Sequence, residues 1–215
     1  MSFLTDIQLT SNRNNTGVVP YIIVNYKGVI YMITLTETDI IQLLRKNNLN
    51  ADTLQENVVQ ALMKKNLKVA TAESCTGGLV SERITRVSGS SEVFDCGICS
   101  YANEIKHKIL GVSEETLSVL GAVSAETAIQ MAEGVKKLSG ADIGISTTGI
   151  AGPTGGTPEK PVGLVYCGVC TKNKTYALKL DFSLASNRAD ARNYIRKLAS
   201  DAVLFTILNI IYEQM

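Results

Sequence analysis

The chain has one histidine in 215 residues, His107. A metal centre built on imidazoles has almost nothing to work with, and a serine–histidine–aspartate triad would depend on that single side chain. There is no excess of charge of either sign. The formal net charge is +1, which makes no global electrostatic case for nucleic acid or an anionic membrane surface. Long apolar runs are missing too: those present are short and interrupted, well below the roughly 18–20 residues that span a bilayer. The opening Met1-Ser2-Phe3-Leu4-Thr5-Asp6 lacks a basic region followed by an apolar stretch, so no signal peptide is expected. No internal repeat or low-complexity tract is visible. These absences point to a soluble, cytoplasmic protein that holds any anionic ligand at a local site.

Cysteine is present as an odd set of five, Cys75, Cys96, Cys99, Cys167 and Cys170, without secretory context, and a disulfide framework is not expected. Two Cys-x-x-Cys spacings raise zinc, but both lie in stretches that read as strands. Residues three apart on a strand point to opposite faces and cannot chelate one ion. The expectation is five reduced cysteines buried in the core.

What is there is an ordinary globular composition, 45% hydrophobic and 19% charged, enough for one generous domain with a small appendage. Residues 1–50 differ from the rest. Ser11–Gly17 is polar and loop-like. Two β-rich runs, Tyr21–Tyr26 and Val29–Thr34, join through Lys27-Gly28 as a hairpin, and Asp39–Lys46 reads as a short amphipathic helix. This piece is too small to stand alone and should dock on the main domain or on a partner.

From about residue 51 helix and strand alternate: a helix through Leu54, Val58 and Leu62, a strand Leu67–Ala72, a Gly-rich turn into a helix ending near Arg86, a strand Val93–Tyr101, and a short helix from Asn103. A helix capped by Ser124, a strand Asp142–Thr147, two late strands able to pair as a hairpin, and a closing helix Arg188–Tyr212 complete it. The fold class is α/β, a layered α/β/α domain with a mostly parallel or mixed sheet over 51–215, plus the hairpin-and-helix extension of 1–50.

In such sheets ligands bind at the carboxyl ends of strands. Two loops leave such ends with unusual composition. Thr71-Ala72-Glu73-Ser74-Cys75-Thr76-Gly77-Gly78 brings a hydroxyl and a thiol to the start of a helix, where N–H groups favour a phosphate or an oxyanion. A capped helix start, with Ser74 or Thr76 as cap, accounts for the same residues. The second loop runs from Thr147 through Thr148, Gly149, Ile150, Ala151 and Gly152 to Thr157, with more glycine than a connection needs; it is either a binding loop or a flexible one. A serine needs a base. Lys106 follows Tyr101 by little more than one helical turn, so both can face the same sheet edge as Ser74, although lysines on helices are usually solvated. Arg188, Arg192 and Arg196 recur every fourth residue as one basic stripe, a solvated face or, at Arg188, a phosphate ligand.

Over about residues 52–213 these motifs, in this order, resemble the C-terminal domain of the CinA (competence/damage-inducible) family. They are Thr71–Gly78, Gly89-Ser90-Ser91, Tyr101–Lys106, Gly121–Ser124, Gly149–Pro153, Gly155-Gly156 and Glu159–Gly163. Active members of that family are nicotinamide mononucleotide deamidases. The resemblance implies hydrolysis of the carboxamide of nicotinamide mononucleotide to nicotinic acid mononucleotide and ammonia. It implies Ser74 as nucleophile, Lys106 as general base and Tyr101 as a helper that orients the pair or relays the proton. It places substrate binding on Cys75, Thr76, Gly77, Gly78, Thr148, Gly149, Ile150, Ala151, Gly152 and Arg188. No metal or organic cofactor is implied; a homo-oligomer is. The sequence departs from the family where relatives show Ser/Gly-Asp-Arg, having Ser186-Asn187-Arg188 instead. Residues 1–50 do not resemble the large molybdopterin-binding-related domain that many relatives carry, so its pyrophosphatase activity is not expected. Two rivals stand beside this reading. One uses Cys75 as nucleophile with His107 as base. The other is a silent nucleotide- or protein-binding domain linked to competence or DNA damage, with the N-terminal hairpin as its docking edge.

Overall fold

A computed structural model describes residues 24–26, 29–31 and 34–213. The polar stretch 11–17 and the outer ends of the two N-terminal runs lie outside them. Strands β1 (Val24–Tyr26) and β2 (Val29–Tyr31) pair antiparallel, Val24 opposite Tyr31, as the hairpin signal predicts. Of the second run, Val29–Tyr31 lies in the hairpin and Thr34 in the next described strand. That strand, β3 (Thr34–Thr36), belongs to the main sheet. Helix α1 (Glu37–Lys46) follows at once, started by a capping box in which Thr36 and Asp39 satisfy each other's backbone N–H.

The main sheet has six strands in the order β3-β8-β7-β6-β4-β5. Strands β4 (Val69–Glu73), β5 (Phe94–Cys99) and β6 (Ile143–Gly149) run parallel with β4 at the centre. Strands β7 (Leu164–Cys170) and β8 (Thr175–Asp181) form the expected late hairpin; β7 is antiparallel to β6, and β3 pairs parallel with β8. The sheet is therefore mixed.

Helices cover both faces. On one side α2 (Leu54–Lys65), α3 (Leu79–Thr85), α7 (Ala191–Glu213) and α1 pack over the larger core, which includes Val58, Leu62, Val69, Ile145, Val165, Phe182 and Ile195. On the other, α4 (Asn103–Leu110) and α6 (Ala125–Ser139), with α5 (Glu114–Val119) beside them, close a smaller core of Ala70, Ala72, Leu110, Met131 and Val135. Strand alternation explains the split: Val69 faces one core while Ala70 and Ala72 face the other. Ser124 caps α6 by accepting from the Thr127 N–H. That helix lies hard against the sheet because Gly144 and Gly168 have no side chains. A Cβ at either would stand 2.2 or 2.1 Å from the carbonyl oxygens of Ala132 and Ala128. Among the described residues no helix is long and apolar enough to cross a membrane.

The cysteines depart from expectation. Cys75 and Cys167 are buried, but Cys96 and Cys170 are only half-buried and Cys99 is exposed. Cys96 and Cys99 lie on β5, an edge strand, so helix packing on both faces does not enclose it as it does the central strands. All five are free thiols.

Candidate active site

Strand β4 ends in Glu73, and the chain turns through Ser74 into α3. Glu73 is fully buried, and five donors converge on its carboxylate: the N–H groups of Gly78, Val80 and Ser81 and the hydroxyls of Thr76 and Ser81, at 2.6–3.1 Å. The start of α3 thus carries an internal anion. This corrects two expectations. Neither Ser74 nor Thr76 caps the helix; the N-cap position is Gly78, in the left-handed region at φ 91°, without a side-chain cap of its own. Nor are Gly77 and Gly78 open to an external anion, because Gly77 N–H donates to the Ser74 carbonyl and Gly78 N–H to Glu73. The N–H groups of Cys75 and Thr76 have no oxygen acceptor among the described residues.

Ser74 is held by its N–H donating to the Thr147 carbonyl on β6, and its hydroxyl faces Lys106. Lys106 sits in the first turns of α4 and is 1% exposed, an unusual place for an ammonium group. Its Nζ lies 3.1 Å from Ser74 Oγ and donates to the Ser100 carbonyl at 2.8 Å and the Tyr101 carbonyl at 3.3 Å. Burial pushes its pKa below the ordinary lysine range, against a smaller opposing pull from charge on Cys75. A neutral amine has two N–H bonds and one lone pair. With the N–H bonds spent on the two carbonyls, the lone pair is left for the serine hydroxyl.

A cavity of about 200 Å³ opens over this pair. Ser74, Cys75, Tyr101, Lys106, Thr148, Gly149 and Ala151 line it, together with Ala122 and Val123 from the approach to α6. Thr148 ties β6 to that approach by donating to the Ala122 carbonyl. Of the residues assigned to substrate binding, Thr76, Gly77, Gly78, Ile150, Gly152 and Arg188 do not line the cavity.

Two side chains differ most from expectation. Tyr101 meets Lys106 through its backbone carbonyl, not its phenol. The ring is 66% exposed and its hydroxyl accepts from Arg192 Nη2 at 3.0 Å. Arg188 precedes α7 instead of opening it. Both of its side-chain hydrogen bonds go to Asp190, and its guanidinium lies 3.9 Å from the centre of the Tyr194 ring. Arg192, one helical turn further on, reaches the cavity and also donates to the Gly152 carbonyl. Arg196 is committed to the Thr76 carbonyl. The three arginines do not form one solvated stripe. The four-residue spacing is regular, but only Arg192 and Arg196 lie on α7; which arginine meets the cavity depends on where the helix begins.

The cysteine–histidine rival is not assembled. His107 bonds the Val112 carbonyl through Nδ1, turns Nε2 toward Glu114 at 3.7 Å and does not line the cavity. Burial, reinforced by the negative charge of Glu73, pushes the Cys75 thiol up to about 12. Among the described residues no group of three or more His, Cys, Asp or Glu side chains could hold a metal ion.

Fold and site thus define an α/β domain with a buried serine–lysine pair where the central strand turns into a helix. The model of the CinA C-terminal domain matches residues 51–210, and the chain belongs to the CinA family. It is 57% identical over 157 residues to a putative competence-damage inducible protein of Caldicellulosiruptor saccharolyticus, covering 73% of this chain and 38% of that protein. It is 54% identical over 160 residues to a CinA-like protein of Kosmotoga olearia, covering 74% and 38%. The chain therefore spans well under half the length of these curated relatives. Among solved structures it is similar to the competence/damage inducible protein CihA of Agrobacterium tumefaciens. The TM-score is 0.70 and the identity 37%, over 75% of this chain and 95% of that one.

Proposed function

We propose that this chain is an amidohydrolase of nicotinamide mononucleotide, with Ser74 as nucleophile and Lys106 as general base. One observation carries the reading: a lysine removed from water, with two carbonyls holding its N–H groups, beside a serine hydroxyl at 3.1 Å. Such an amine is deprotonated more readily than a solvated one and aims its lone pair at the proton to be removed.

In the first half-reaction Ser74 Oγ attacks the carboxamide carbon as its proton passes to Lys106 Nζ. The carbonyl oxygen gathers negative charge, and the N–H groups of Cys75 and Thr76, which lie against the Cys75 sulfur and have no oxygen acceptor among the described residues, are the donors proposed for it. Collapse breaks the C–N bond, and Lys106 returns the proton to the departing nitrogen, which leaves as ammonia. Water then attacks the ester on Ser74, Lys106 again taking the proton. Nicotinic acid mononucleotide is released and the serine is restored. Tyr101 contributes its carbonyl to the orientation of Lys106. The family likeness supports this choice of substrate; the site geometry supports acyl transfer.

The test is ammonia release from purified protein given nicotinamide mononucleotide, with nicotinic acid mononucleotide followed by chromatography. Wild type should yield both products in equal amounts, and Ser74→Ala and Lys106→Ala neither. No ammonia from wild type, or undiminished ammonia from Ser74→Ala, would overturn the proposal; the first result would leave a binding domain.

A further inference from the structure

At about 200 Å³ the cavity over Ser74 is small for a whole nucleotide, since ligand pockets commonly enclose about 300–1,000 Å³. Whatever is attached to the ring must pass out of the mouth. Two basic side chains line the cavity, Lys106 and Arg192, and no carboxylate does. Lys106 has nothing to offer an anion, because its three positions face Ser74 and two carbonyls. Arg192 is exposed and differently placed. Nη1 donates once, to the Gly152 carbonyl, and Nη2 once, to the Tyr101 hydroxyl. Its Nε–H and one N–H on each Nη have no partner among the described residues.

We infer that Arg192 is the anchor for an anionic substituent, a phosphate monoester, carried by the substrate beyond the mouth of the cavity. The inference rests on the amidohydrolase reading and adds to it the residue that sets specificity for the phosphorylated form. Its neighbours on α7 are spoken for. Arg188 is bonded through two nitrogens to Asp190, and Arg196 through two to the Thr76 carbonyl. Arg192 alone of the three combines a place on the cavity with free donors. A guanidinium presents paired N–H groups that match phosphate oxygens. It also sits in the first turn of the 23-residue α7, where the helix dipole favours negative charge. Its bonds to the Tyr101 hydroxyl and the Gly152 carbonyl hold it in place beside the cavity, so it is positioned before the ligand arrives.

The experiment compares nicotinamide mononucleotide with nicotinamide riboside, which keeps the ring and sugar but lacks the phosphate. Arg192→Met should raise KM for the mononucleotide roughly 10- to 100-fold, with kcat changed far less and kcat/KM for the riboside nearly constant. Arg192→Lys should recover part of the loss, and Arg188→Met should not reproduce it. Equal losses on both substrates, or a larger effect of Arg188→Met, would overturn the assignment by making Arg192 a merely structural tie. A second readout needs no turnover: binding of nicotinic acid mononucleotide by calorimetry should weaken in Arg192→Met. If wild type binds this ligand but releases no ammonia, the catalytic reading fails and the anchor survives. If Arg192→Met binds it as wild type does, the anchor fails alone.

Discussion

Lys106 Nζ lies 3.1 Å from Ser74 Oγ although the two residues are 32 apart in the chain. The contact exists because β4 and β5 are adjacent parallel strands whose carboxyl ends lie side by side. The turn after one strand supplies the serine, and the helix after the other supplies the lysine. Backbone pairing continues past the strands, with Ser100 N–H donating to the Glu73 carbonyl.

Groups that act as one unit lose activity together. Ser74→Ala and Lys106→Met should each reduce ammonia release about a thousandfold or more, and the double variant should be little worse than either alone. Initial rates on nicotinamide mononucleotide measure this directly; additive losses would separate the two side chains.

The base must be unprotonated to work. Since burial lowers the Lys106 pKa, kcat/KM should rise with pH and level off below the ordinary lysine value of about 10.4. Stability follows the same shift. Below the folded-state pKa the buried ammonium costs its full penalty. Between the folded and unfolded values the unfolded chain binds more protons, so this penalty fades as pH rises. Relative to Lys106→Met, wild type should therefore gain stability from neutral pH to pH about 10. Urea denaturation at both pH values reads the difference.

Thiol reagents should report burial. Maleimide applied to native protein should label Cys99 first and leave Cys75 and Cys167, both with pKa pushed up to about 12, unmodified until unfolding. Mass spectrometry of the labelled peptides checks this. Rapid labelling of Cys75 with loss of activity would revive a thiol nucleophile.

Glu73 should matter for stability more than for chemistry. Glu73→Ala strands three backbone N–H groups at the start of α3, each costing about 1–3 kcal/mol if left without an acceptor. A loss of at least about 3 kcal/mol in urea denaturation is expected. Anions such as phosphate should restore part of it by filling the vacated place.

Much of the architecture was legible in the chain. Alternating patterns located the central strands, Ser124 announced the start of α6, and the late strands announced their hairpin. The serine turn stood out by composition, whereas Lys106 was singled out as its base by the resemblance. What could not be read depended on distance through space. Nothing in Thr71–Gly78 says that Glu73 folds back to close the helix it precedes. The spacing of Arg188, Arg192 and Arg196 is regular, yet a helix that begins at Ala191 separates them into three different environments. The cysteine pattern likewise could not reveal that β5 lies at an edge.

Strand β3 and helix α1 precede residues 51–210, the segment matched by the family model, yet they are joined to it. Thr34, Leu35 and Thr36 pair with Lys179, Leu180 and Asp181 of β8, Ile40 and Leu44 enter the larger core, and the Tyr194 hydroxyl bonds Glu37. A protein trimmed to 51–210 would bare the outer side of β8 and uncover apolar area on α7. An unprotected strand edge recruits other chains. Clumping in the shortened form would then reflect the missing border of the sheet and not damage at the serine.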